Sequence, residues 1–359
     1  MMEQPERPLS PLFIGGPSRS GTMMLSTMLS RHPEIHLRGE THYFDDLRPR
    51  LGAGAFSAVT PAQRDDAVTY FRKLAHRPYG KRGDPEKGWL TREALLAEAE
   101  KHGPGADAIF MAFCRLHAAR LGKNPAIWGE KTPRNVFRVD DIVAAFPAAK
   151  VVCMVRDPRA TVVSYRDWTQ KNIADAVLAQ DAEFVAAYAE DHRRKQASYN
   201  TVIATAMWRA AVSAAAAAAA KHGPVRVRVL RYEDVVADPQ ATLSDLCGWL
   251  GVDFVPDMLE VDLANSSYGE GRGVGVSASP IDRWRKKLSD REIGIIQGVA
   301  GGAMRKHGYE AVPIRLGPLD LPLAYAAAPL AAVRAAVANK ARIASLPAYV
   351  WRRLRAIMR

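Results

Sequence analysis

Apolar and polar positions along the chain follow two different periods. Leu12-Phe13-Ile14 is an apolar run that meets a turn rich in Gly, Ser and Pro, and beyond Gly21 apolar residues recur at helical spacing to Leu29. That pattern predicts strand, loop, helix. Pro33 ends the helix, and a short strand follows before Gly39. From residue 43 to about residue 125 the pattern is helical and charged, broken at 80–88 and 103–105. This predicts an insertion of helices over the entrance to a site. A helix is expected from about 136 to 146. Residues 150–155 form a continuous apolar run, the mark of a parallel strand buried on both faces. Residues 167–221 read as long helices, and helix propensity explains the alanines at 214–220. Residues 225–230 alternate apolar and basic, as in a strand with one less buried face, and a helix over 241–250 is stopped by Gly251. Residues 265–279 form a polar, Gly-rich loop containing Arg272. Another helix opens near Ile281, and Gly301-Gly302 interrupts the helical segment that runs on to Tyr309. Strands alternating with helices predict an α/β fold, a central parallel sheet flanked by helices with helical insertions over the active site.

Composition narrows the class. The chain has 359 residues and is 48% hydrophobic, enough to bury the core of one large α/β domain or two small ones. The expected boundaries are 10–312 for the main domain and 318–359 for a basic, amphipathic, helical C-terminal tail. Formal net charge is +12, and the excess is uneven. Residues 321–359 hold seven basic side chains and no acidic one, and Pro322, Pro329 and Pro347 are expected to cut this tail into short pieces. An anionic cofactor accounts for the mildly basic remainder. Cys114, Cys153 and Cys247 lie far apart with no CxxC, so neither a zinc site nor a disulfide framework is suggested, and the thiols fit a reducing compartment. The polar, Pro-containing first ten residues do not read as a signal peptide. No run of about 18 apolar residues free of charge occurs, so a spanning helix is not expected and a cytoplasmic location is.

Three stretches carry candidate chemistry. Gly16-Pro17-Ser18-Arg19-Ser20-Gly21-Thr22-Met23 joins the first strand to the first helix. Unpaired backbone N–H groups and the helix dipole make such a place a binding site for phosphate or sulfate. Gly16-x4-Gly21 has the spacing of a Walker A loop, so a P-loop-type sheet is expected. Thr22 and Met23, however, stand where a nucleotide triphosphatase has Lys and then Ser/Thr. A thioether is a poor partner for magnesium, and the positive charge comes from Arg19, so the loop is expected to hold an anion with no metal. Arg156-Asp157-Pro158-Arg159 ends the strand at 150–155, and Ser164 follows on the next helix. This is a second anion site, with a guanidinium suited to bidentate recognition. Glu40 and His42 lie just beyond the second strand, where open α/β sheets bind ligands, and are rival candidates for an acid or base. Lys131, in Trp128-Gly129-Glu130-Lys131-Thr132-Pro133, is a candidate to contact an anionic group in transfer.

Together and in this order, these pieces resemble the PAPS-dependent sulfotransferases, in particular the bacterial branch similar to tyrosylprotein sulfotransferases, over residues 12 to 309. The resemblance implies that Ser18, Arg19, Ser20, Gly21, Thr22 and Met23 form the 5′-phosphosulfate loop. It implies a 3′-phosphate site at Arg156 and Ser164, and an adenosine contact at Tyr232 in Arg231-Tyr232-Glu233-Asp234. Arg283-Trp284 falls at the flap over the nucleotide, with Arg283 where Lys is common. Glu40 falls at the catalytic base of the tyrosylprotein branch and Lys131 beside the bridging oxygen, with Arg19 also among the catalytic residues. Relatives acting on small molecules use a His base, which keeps His42 and His36 open.

The implied activity is transfer of a sulfuryl group from PAPS, as co-substrate, to an acceptor hydroxyl on a small molecule, lipid, glycan or protein. The displacement is in-line and metal-independent. A hydroxyl attacking sulfur must lose a proton, and charge grows on the leaving oxygen, so a base and a cation are both needed. One competing reading is a nucleotide kinase or other P-loop phosphotransferase, against which the missing Walker Lys argues. Another is a non-catalytic nucleotide-binding module. Nucleic acid is not an expected partner, because the basic residues sit at strand ends and not on a face interleaved with aromatics. The tail is different. Tyr349, Val350, Trp351, Leu354, Ile357 and Met358, mixed with Arg352, Arg353, Arg355 and Arg359, suit an interfacial helix on an anionic membrane; the alternatives are a helix docked on the body or on a partner subunit, or a disordered end.

Overall fold

The computed structural model describes residues 10–52, 58–81, 83–170, 182–261, 281–340 and 351. Five strands form one sheet: β1 (Ser10–Gly15), β2 (Ile35–Arg38), β3 (Ile127–Lys131), β4 (Lys150–Val155) and β5 (Val227–Arg231), in the order β2-β3-β1-β4-β5. β1 pairs in parallel with β3 and β4, and β2 in parallel with β3. Leu12, Phe13 and Ile14 are wholly buried at the centre, as an apolar run in a sheet covered on both faces should be. Gly129 permits the close approach of β3 to β1, since a Cβ there would lie 1.8 Å from the Leu12 carbonyl oxygen.

The chain divides into two compact units, one of Met1–Gly16, Gly21–Met154 and Ala217–Val276, the other of Pro17–Ser20, Val155–Ala216 and Ser277–Arg359. The first holds α1 (Thr22–Arg31), the predicted insertion as α2 (Pro61–His76), α3 (Arg92–Glu100) and α4 (Ala106–Arg120), and α5 (Val139–Ala145). The helix expected over 136–146 is instead a 3-10 turn, Pro133–Phe137, followed by α5, with Arg138 between them. Phe13 packs among Phe44, Phe110, Trp128 and Phe146. Tyr43 stacks on Phe110 at 4.6 Å and donates its hydroxyl to the buried Asp107 at 2.5 Å.

The second unit holds α6 (Pro158–Gln170), α7 (Ala182–Ser198) and most of α8 (Thr201–His222). After α9 (Tyr232–Ala237) and α10 (Pro239–Leu250) of the first unit, it resumes with α11 (Asp290–Lys306) and α12 (Asp320–Ala338). Three expectations are corrected here. Gly301-Gly302 does not interrupt α11, which starts on a Ser289–Glu292 capping box and buries Ile293, Ile295, Ile296, Ala300 and Met304. That apolar stripe outweighs a helix penalty of about 1 kcal/mol per glycine. The stretch opening at Ile281 gives only one turn, Trp284–Lys287, before Ser289 starts the next helix. Nor do Pro322 and Pro329 cut the tail. Pro322 sits in the first turn of α12, where its missing N–H has no intrahelical acceptor. Pro329 costs an interior bond, but Ala324 and Ala328 pack with Val202 and Ile295, and Ala331 and Ala332 with Ile203.

By length and composition α8 and α12 could each cross a membrane, although half of the apolar window of α8 is covered by protein. A charge-free run was not found in the sequence because Arg209 and Arg334 interrupt these helices. Arg272 and the basic residues Arg342, Arg352, Arg353, Arg355 and Arg359 lie outside the described residues, while Trp351 is exposed.

His36, the other histidine held open as a base, lies on β2. It is buried, lies 2.9 Å from His117 Nδ1, and stacks on that ring. Burial, aided by Lys123 and Arg38, lowers the His36 pKa to about 4; burial, then Arg38, lowers that of His117 to about 3. These folded values lie below the ordinary value of about 6.5, so the contribution of the pair is complete above that pH and is lost as pH falls toward 4. The urea midpoint should therefore drop over this window, and less so in His36→Asn; equal drops would contradict this account.

Candidate active site

The predicted anion loop leaves β1 at Gly15. Gly16 adopts φ +138°, and a Cβ there would lie 2.2 Å from the Met154 carbonyl oxygen. Its N–H donates to Pro133 O at 2.9 Å, which ties the end of β1 to the turn after β3. Gly21 precedes α1 at φ +87°, and no side chain caps that helix, so its first N–H groups are available to an outside acceptor. Thr22 is buried and Met23 is half exposed. Tyr232, the first residue of α9, packs its ring on Gly21, where a Cβ would lie 2.4 Å from Cδ2.

Also in the first unit, buried Lys131 at the end of β3 reaches Glu40 Oε1 with Nζ at 2.6 Å. His42 Nε2 lies 3.4 Å from Glu40 Oε2. Burial alone would raise the Glu40 carboxyl, but the hydrogen bond from His42 and the Lys131 ammonium outweigh it and hold the pKa at about 2. Glu40, 40% exposed, is therefore an ionised carboxylate that solvent or a substrate can reach. The structure thus brings both rival bases and the candidate lysine into one cluster.

The residue that builds this cluster was missed in the sequence. Glu130 is wholly buried and accepts from the Thr41 N–H (3.0 Å), the Thr41 hydroxyl, the Thr132 hydroxyl (3.1 Å) and the Asn135 amide (3.2 Å). Burial pushes its carboxyl up in spite of these bonds. It fixes the turn between Glu40 and His42, and His42 itself sits at φ +54°, a left-handed conformation uncommon outside glycine. The available signal was the adjacent pair Glu130-Lys131 at the end of a buried strand. Neighbouring strand residues face opposite ways, so each buried charge needs its own partner.

In the second unit Arg19, at φ +72°, donates from Nε to Ser164 Oγ at 3.3 Å. Arg156 donates from Nη1 to the Arg19 carbonyl at 3.3 Å. The Arg156 carbonyl is held in turn by Trp208 Nε1 at 2.8 Å. Three predicted anion ligands are thus one assembly, with Ser18 exposed and Ser20 buried beside Arg19 in the sequence. Ser20 Oγ and Thr161 Oγ1 are buried with no hydrogen bond among the described residues. Thr161 lies one helical turn before Ser164, on the same face of α6, and was not picked out from the sequence. Buried hydroxyls without a partner and guanidinium groups both suit an anion, which would accept from either. At the expected flap, Trp284 is 2% exposed, with the guanidinium groups of Arg159 and Arg285 over its ring at 4.0 and 4.5 Å. The Trp284 ring is thus held by Arg285 and by Arg159, itself paired with Asp157 at 2.6 Å; the neighbouring Arg283 is partly exposed.

A model of the sulfotransferase family matches residues 11–257. Mouse (Mus musculus) carbohydrate sulfotransferase 5 is 31% identical over 85% of this chain and 82% of its own length. Human (Homo sapiens) carbohydrate sulfotransferase 6 is 28% identical over 82% of this chain and 79% of its own. A Drosophila melanogaster protein-tyrosine sulfotransferase is 27% identical over 44% of this chain and 25% of its own. Among solved structures, the sulfotransferase domain from the curacin biosynthetic pathway superposes with a TM-score of 0.48 at 17% identity, covering 85% of this chain and 99% of that one.

Proposed function

The chain belongs to the sulfotransferase family, and we propose that it transfers the sulfuryl group of PAPS to a carbohydrate hydroxyl, with Glu40 as base and Lys131 at the leaving oxygen. It is an enzyme of sulfuryl transfer, and the kinase and non-catalytic readings are not favoured. The family implies PAPS as co-substrate, and the residues fit it. The uncapped start of α1 and the unfilled Ser20 hydroxyl suit the 5′-phosphosulfate. Arg156 and Ser164 suit the 3′-phosphate, and Tyr232 the base. Bound PAPS supplies an activated sulfuryl group on a phosphate leaving group.

The observation that carries the role assignment is the 2.6 Å pair between buried Lys131 and Glu40. A carboxylate held near 2 is ionised but a weak base. As Lys131 turns its charge toward the leaving oxygen, Glu40 loses its strongest cation and becomes basic enough to take the acceptor proton. Base and cation are thereby coupled, and Arg19, Arg156 and Lys131 supply the positive charge without a metal. The carbohydrate class is supported by relatives aligned over most of the chain, whereas the tyrosine-directed relative aligns over less than half. Incubation with labelled PAPS in EDTA should place label in an oligosaccharide; label in a tyrosyl peptide and not in the sugar would overturn this reading.

We place the enzyme in a reducing, cytoplasmic setting, consistent with three buried free cysteines, and at an anionic membrane surface. Leu323, Leu330, Val333 and Val337 are exposed along α12, and the basic tail follows. Leu330→Glu with Val337→Glu should abolish co-sedimentation with anionic liposomes; unchanged binding would remove the membrane claim. Truncation near Gly317 is the poorer test, because α12 also covers core residues of the second unit.

A further inference from the structure

The first unit contains a cavity of about 410 Å³ that none of the roles above uses, lined by Tyr70, Lys73, Arg77, Tyr79 and Gly83 among others. Its size lies within the roughly 300–1,000 Å³ of small-ligand sites. Its walls come from the last turns of α2 and the segment that follows. That segment lies directly on the helix backbone, since a Cβ on Gly83 would be 2.0 Å from the Lys73 carbonyl oxygen.

Two contacts fasten this cavity to the catalytic turn. Tyr79 stacks on His42 with ring centroids 4.0 Å apart, and the Tyr70 hydroxyl donates to the Thr41 carbonyl at 2.6 Å. The residues touched are the two that follow Glu40. Both tyrosines are also braced from elsewhere. Tyr79 donates its hydroxyl to Asp46 at 3.0 Å, and the Arg50 guanidinium lies over the Tyr70 ring at 5.8 Å. The cations of the lining are Lys73, which is exposed, and Arg77, which is buried. Aromatic rings offer flat apolar surface to the C–H faces of a sugar, and clustered cations favour a negatively charged substituent.

We propose that this cavity is the acceptor subsite, and that it takes an acidic sugar, one whose ring carries a carboxylate or sulfate near the hydroxyl to be modified. This rests on the carbohydrate sulfotransferase reading above. It makes Tyr79 a positioning residue, which orients His42 and the acceptor together, and Lys73 a specificity residue.

The test measures binding of two tetrasaccharides to the full-length protein by calorimetry. One is a hyaluronan tetrasaccharide, with alternating glucuronate; the other is the neutral chitotetraose. The acidic sugar should bind at least tenfold more tightly, Lys73→Ala should remove about tenfold of that affinity, and the neutral sugar should be indifferent to the change. Tyr79→Phe, which keeps the ring, should retain binding of both sugars, and Tyr79→Ala should weaken both. Equal affinity for the two sugars, binding of neither, indifference to Lys73→Ala, or preference for an acidic tyrosyl peptide would each overturn the proposal. Adenosine 3′,5′-bisphosphate is titrated in parallel and should bind Lys73→Ala as it binds the wild type. Failure of the wild type to bind it would strike at the sulfotransferase reading itself, separately from the acceptor.

Discussion

Lys131→Ala should lower kcat by about 10²–10³-fold while leaving the affinity for adenosine 3′,5′-bisphosphate nearly unchanged. The loss follows from two roles that end together. In the proposed mechanism the ammonium at 2.6 Å from Glu40 serves the leaving oxygen, and it is also a major part of what holds the carboxyl at about 2. Without it, the Glu40 pKa should rise toward its ordinary value of about 4.3, since burial pushes the same way. The sign is testable. In the wild type Glu40 stays ionised well below neutrality and contributes no acid limb above about pH 4. In the variant the carboxylate protonates at higher pH, so an acid limb should move up into view. A variant with unchanged kcat, or one altered only in KM, would mean that Lys131 is a structural partner of Glu40 and no more. Glu40 is 40% exposed, so solvent can hydrate the orphaned carboxylate and the fold should survive the change.

The second large effect concerns the donor. Arg156→Ala should weaken adenosine 3′,5′-bisphosphate by about 10- to 100-fold, the range of a charge-assisted hydrogen bond worth about 1.5–3 kcal/mol. Adenosine 5′-phosphate should be affected much less. Arg156 touches the Arg19 carbonyl through its side chain, whereas Trp208 holds its backbone carbonyl, a bond that alanine keeps. The substitution therefore removes the guanidinium and keeps the bond from Trp208 to the backbone at position 156. Equal losses for both nucleotides, measured by calorimetry in EDTA, would place the 3′-phosphate elsewhere.

What the sequence made legible was local. The loop between β1 and α1 could be read because an apolar strand, a Gly-rich turn and an amphipathic helix follow one another without a gap. Arg156 and Ser164 could be read because they flank one strand end and its helix. Glu40 and Lys131 could each be read as candidates from their places at strand ends, but their pairing could not, since 91 positions separate them and nothing in spacing couples them; their roles came from the family resemblance. Glu130 escaped notice for the same physical reason. Its role is defined by Thr41, 89 positions away, and a lone Glu in a strand says nothing of the partner. The continuous α12 and α11 were hidden by Pro329 and by Gly301-Gly302. Local propensity opposes helix there, and packing on Val202, Ile203 and Ile295 decides otherwise. The cavity beside His42 was invisible because it depends on how one charged helix and the turn after it fold back over the Glu40 turn.

The central claim is that Glu40, and not His42, takes the proton of the acceptor hydroxyl. Single-turnover transfer of labelled sulfuryl groups from PAPS to an oligosaccharide, in Glu40→Gln and His42→Ala, tests it most directly. The account predicts a loss of about 10²–10³-fold in Glu40→Gln with bisphosphate affinity retained, and a smaller loss in His42→Ala, where only a neighbour of the base is gone. Near-complete loss in His42→Ala with Glu40→Gln still turning over would contradict it and transfer the role to the histidine.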